Sequence, residues 1–79
     1  MSDTLNLVGG LSAEIERVGA KATRWKGYMR ETPELAAGMR LGLAVMENRL
    51  AEARTALNSG DVLLMIPAYQ NLKDYSDDD

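Results

Sequence analysis
Between Leu11 and Met29 the apolar residues Leu11, Ile15, Val18, Ala22, Trp25 and Met29 recur at spacings of 4, 3, 4, 3 and 4. An unbroken alternation of fours and threes is a single stripe on an α-helix, which turns once in about 3.6 residues. The pattern predicts a first helix over about residues 12–30, with Ser12 as its N-cap and Glu14 and Glu16 in the first turn, where carboxylates complement the helix dipole. Ahead of it, residues 1–10 contain the Gly9-Gly10 pair, which carries a large helix penalty, and they are expected to form a flexible N-terminal arm.

A second stripe follows at once. Thr32-Pro33-Glu34 reads as a helix start, because Thr is a good N-cap, Pro suits the first helical position and Glu suits the first turn. Ala36, Met39, Leu43, Met46, Leu50, Ala53 and Leu57 then alternate at threes and fours until Asn58-Ser59-Gly60, where Gly60 can take the left-handed cap. The predicted helix covers 33–58. So short a joint between the two helices forces them back on one another as an antiparallel hairpin.

The second helix carries further apolar and small residues on another side: Gly38, Leu41, Gly42 and Val45, with Ala37 and Ala44 beside them. A helix with two such sides needs cover on both, and the first helix supplies only one. The remaining cover must come from the C-terminal segment or from another subunit. These four residues are therefore the candidate oligomer interface, and a homodimer is expected.

The C-terminal segment is expected to be a short third helix over 62–74, capped by Asp61, with Val62, Met65, Tyr69 and Leu72 as its stripe, Ile66 widening it, and a kink at Pro67. An extended conformation for 62–66 is the alternative, since a five-residue apolar run is ambiguous by period. Residues 76–79 read as an acidic, disordered tail. The expected architecture is thus all-α: a single helical domain over 11–75, built from an antiparallel hairpin and a short Pro-kinked third helix.

Composition changes the picture in two ways. The 79 residues include no Cys and no His, so disulfides, thiolate and imidazole metal ligands, and nucleophile-and-base pairs built on either residue are excluded. A chain this short makes one small core, and association is the staple left to it. No phosphate-cradling glycine motif follows Gly9-Gly10, and Glu14 and Glu16 lie two apart on a helix, so they do not converge on one bond. No enzyme, cofactor or metal is expected. The chain has no apolar run long enough for a membrane span or a secretory leader, and reads as cytoplasmic.

Charge is uneven. Residues 11–31 hold five basic against three acidic side chains, while the last twenty residues hold Asp61, Asp74, Asp77, Asp78 and Asp79 against Lys73 alone. Basic and aromatic residues gather between Arg17 and Arg30: Arg17, Lys21, Arg24 and Tyr28 form one flank beside the first stripe, with Trp25 on the stripe and Arg30 at its end. This flank is the candidate site for a partner protein or a small nucleotide-like anion; the blander reading is a solvated edge whose long stems cover the core. Duplex nucleic acid is disfavoured by a net charge of −3. The acidic end is a solubilising tail in the plain reading; in the sharper one it enters a basic groove on a target or folds onto the basic flank of a neighbouring subunit. The function these features point to is a small protein-binding module, an inhibitor or adaptor of another protein. The rivals are an oligomeric anion binder and a purely structural assembly subunit.

Overall fold
A computed structural model of the chain describes residues 2–76, with side chains from residue 6 onward. These residues form three helices and no strand: α1 (Ser2–Glu31), α2 (Pro33–Ser59) and α3 (Val62–Lys73). All the helices pack on one another around a core that includes Leu11, Val18, Met46, Met65 and Leu72, each with essentially no exposed surface.

The hairpin forms as its two stripes require. All six residues of the first stripe lie in the core or pack against it, as do Leu43, Met46, Leu50, Ala53 and Leu57 of the second. The antiparallel sense shows in the pairs across the interface: Lys26 reaches Glu47 at 3.2 Å, while Gly19, farther from the turn, lies beside Arg54. Thr32 makes the joint, but its side chain forms no cap bond. The turn is closed by backbone instead, with Thr32 N–H donating to the Tyr28 carbonyl (2.8 Å) and Leu35 N–H to the Thr32 carbonyl (2.9 Å).

The expected N-terminal arm is replaced by helix. α1 starts at Ser2 and runs through Gly9 and Gly10, so Ser12 sits inside the helix and caps nothing. Two causes offset the glycine penalty. Leu7 and Val8 extend the stripe backwards onto the core. At Gly10, an added Cβ would come within 3.2 Å of the Tyr69 ring, so the absence of a side chain lets α3 approach closely. Gly9 has no such neighbour within 4 Å. Gly9→Ala is therefore expected to raise the unfolding free energy by about 0.5–1 kcal/mol in urea denaturation. No gain would mean that the chain before Leu11 is not held as helix.

Between α2 and α3 the turn is fully specified. Gly60 takes φ 72°, ψ 8° and its N–H donates to the Leu57 carbonyl, while the Asp61 carboxylate accepts from Leu63 N–H at 2.9 Å. The extended alternative for 62–66 is thereby overturned: these residues are the first turns of α3. Pro67 lies inside that helix and has no N–H for the Leu63 carbonyl. Ile66 does not widen the buried stripe; it is exposed with Leu63 and Leu64, and Ala68 faces the core instead. Of the expected acidic tail, Ser76 is described and residues 77–79 lie outside the described residues.

With 12 residues, α3 is about 18 Å long and spans less than half of α2. It runs parallel to α1, so that Tyr69 meets Gly10, Leu72 meets Arg17 and Ser76 meets Lys21. Beyond that level the molecule is a two-helix hairpin, within overall dimensions of 48 × 18 × 17 Å.

Candidate interaction surfaces
The basic flank is tied into its own chain. Arg17 pairs with Glu14 (Nη2 to Oε1, 2.8 Å) and donates from Nη2 to the Leu72 carbonyl at 3.0 Å. Lys21 is only 5% exposed, and its Nζ donates to the Ser76 carbonyl at 2.8 Å and reaches the Ser76 hydroxyl at 3.5 Å. Arg17 thus donates to a carbonyl in the last turn of α3, where the helix dipole is negative, and Lys21 to a carbonyl just past the helix end. The flank works as a clasp between α1 and the end of α3. Ser76, just before the acidic residues 77–79 that lie outside the described residues, meets the basic flank of its own chain.

Arg24 and Tyr28 are half-buried on the same side of α1, each with interactions of its own, and Arg30 is exposed in the last turn. Trp25 lies between the helices. Lys21 Nζ sits 6.0 Å from its ring centroid, at the outer limit of a cation–π contact. Its indole N–H is buried with no hydrogen-bond partner among the described residues, which marks a ring positioned by packing.

That ring comes close to Gly42. A Cβ at position 42 would stand 3.1 Å from Trp25 Cζ3 and 3.6 Å from Cη2. A side chain at position 42 would thus press on the Trp25 ring, while Gly42 itself is exposed and stays among the candidate interface residues. Gly38, by contrast, has nothing within 4 Å of the Cβ position.

The rest of that interface is uncovered. Leu41 is 76% exposed, and Val45 is exposed beside Arg49 of α2 and Asp74 and Tyr75 just past the end of α3. The outward face of α2 continues along the whole helix with Ala37, Leu41, Ala44, Asn48, Ala51 and Thr55, all exposed and none charged. Their spacings of 4, 3, 4, 3 and 4 make a second heptad seam opposite the core. Gly38, Leu41, Gly42 and Val45, with Ala37 and Ala44 beside them, cover only the first half of this exposed face, which goes on through Asn48, Ala51 and Thr55.

A second apolar surface belongs to α3. Leu63 (81% exposed), Leu64 and Ile66 form its outer ridge. Beside it Leu64, Pro67, Ala68 and Asn71 of α3 face Ala51, Thr55 and Ala56 of α2 across a groove of about 490 Å³. Among the described residues no cluster of three or more acidic side chains is placed to hold a metal ion, and no helix is long and apolar enough to cross a membrane. No protein-family model matches the chain, and neither a curated protein nor a solved structure matches it.

Proposed function
We propose that this chain is a cytoplasmic, non-enzymatic protein-binding module that works as a homodimer and serves as an inhibitor or adaptor of another protein. The observation that carries the reading is the amount of apolar side chain left outside a core that is otherwise complete: Leu41 and Val45 on α2, and Leu63, Leu64 and Ile66 on α3. Exposed apolar patches of this kind, set among charged residues, are the usual mark of a contact surface. Two surfaces that adjoin at Ala51 and Thr55 suit a module that binds itself through one and a target through the other. Self-association is assigned to the outer face of α2, and target binding to the α3 ridge and the adjoining groove.

The rival reading as an anion binder drew on Arg17, Lys21, Arg24 and Tyr28. Two of these four spend hydrogen bonds on carbonyls of the same chain, which favours the protein-binding reading.

The test is quantitative affinity capture with the full chain and with Leu63→Asp as baits. A genuine target is retained by the native chain and weakened at least tenfold by Leu63→Asp, since burying one Leu is worth about 1.5–3 kcal/mol and 1.4 kcal/mol is tenfold. Because Leu63 is 81% exposed, the variant is expected to keep its helix content and oligomeric mass. Identical capture by both baits would sink the assignment of the α3 ridge.

A further inference from the structure
We infer that the outer face of α2 docks antiparallel on the same face of a second copy, in one register: Leu41 opposite the partner's Ala44, Gly38 opposite the partner's Val45, and Arg40 ion-paired with the partner's Glu47. This deepens the self-association reading above and rests on it.

The choice of register follows from charge. Three charged residues flank the seam on its α1 side, Arg40, Glu47 and Arg54, at heptad spacing. In an antiparallel pair these flanking positions face their own equivalents across the seam. Overlapping α2 over its full length, symmetric about Met46, would set Arg40 against the partner's Arg54 and Glu47 against the partner's Glu47. Both contacts repel. A parallel pair would set Glu47 against the partner's Glu52, which also repels. Sliding the antiparallel pair by one heptad toward the hairpin tip sets Arg40 against the partner's Glu47 on both sides of the two-fold axis.

The same slide places the apolar residues well. Leu41 then lies over the partner's Ala44, and the reciprocal contact forms by symmetry. Val45 lies over the partner's Gly38, where there is open space around the Cβ position. The two large exposed side chains of the face each meet a small one. Sliding one heptad the other way also pairs opposite charges, Glu47 with the partner's Arg54, but leaves Leu41 opposite the partner's Asn58. Glu47 remains half-exposed while paired with Lys26, so it is open to a second cation.

The chain has no cysteine, so engineered thiols report the register cleanly. In the inferred dimer Ala37 lies opposite the partner's Asn48, close enough for a disulfide, whereas each is about 16 Å from its own copy. An equimolar mixture of the Ala37→Cys and Asn48→Cys chains should therefore oxidise to a mixed disulfide dimer, and neither chain alone should link to itself. Sedimentation equilibrium supplies the second readout. Arg40→Glu and Glu47→Arg are each expected to weaken dimerisation at least tenfold, and the double variant to recover most of it, with circular dichroism confirming that each remains helical. A native chain that sediments as a monomer at tens of micromolar overturns the register and the homodimer together. A native dimer in which the mixture fails to link, or either single variant links to itself, overturns the register and leaves the homodimer standing.

Discussion

Replacing Leu72 with alanine is expected to lower the unfolding free energy by about 2–5 kcal/mol, the usual range for deleting a buried leucine. Leu72 is fully buried on α3, the helix that closes the lower half of the hairpin, and the same residue's carbonyl receives Arg17. A cavity there removes contacts with both long helices at once. Chains of this size hold about 4–12 kcal/mol in total, so the loss is a large share of what keeps the molecule folded. Thermal unfolding followed by circular dichroism should show a melting temperature lower by roughly 10–30 °C. The comparison must be made at one protein concentration, because self-association would make the melting temperature depend on it. Leu63→Ala is the matched control: the same chemical change at an exposed position of the same helix should stay within about 0.5 kcal/mol of the native value. Equal, small effects at both positions would show that α3 does not dock as described.

Gly42→Leu should cost up to about 3 kcal/mol and displace Trp25. The expected strain of overpacking is about 1–3 kcal/mol, less the gain of up to about 1 kcal/mol from replacing a helical glycine. Tryptophan fluorescence gives the direct readout, since the chain has a single Trp. Its emission should shift to longer wavelength as the ring is pushed toward water. Gly38→Leu, with nothing within 4 Å of the Cβ position, should leave the emission of the monomeric chain unchanged. If Gly42→Leu altered the oligomeric mass and left both emission and stability untouched, Gly42 would belong to an intermolecular contact and not to the seat of Trp25.

The hairpin was legible in the sequence because it is written in one repeating period. A heptad stripe specifies its helix and its buried side together, and the turn residues Thr32-Pro33 and Gly60-Asp61 marked where helices stop. The start of α1 was not legible for a physical reason. Gly9-Gly10 is unfavourable in an isolated helix, and the contact that rewards Gly10 comes from Tyr69, nearly sixty residues away. The same holds for the closeness of Gly42 to the Trp25 ring, which no local pattern announces. Ala56 and Ala68 were overlooked as core because small residues become buried only where two helices come close. Spacing alone put Arg17 and Lys21 on one side of α1; what they hold depends on where α3 ends, which no local pattern encodes.

The short third helix leaves the rod unevenly braced. Near the α2–α3 turn any slice across the long axis cuts three helices, whereas beyond Lys21 it cuts two, and toward the tip Trp25, Met29 and Met39 are only half-buried although Leu43 and Met46 stay buried. Opening free energy must therefore decline from the base of the rod to its apex, with the apex fraying well before the base lets go. A ligand that grips the apex would tighten the part of the molecule with most slack, and would register as added rigidity there with no change of shape.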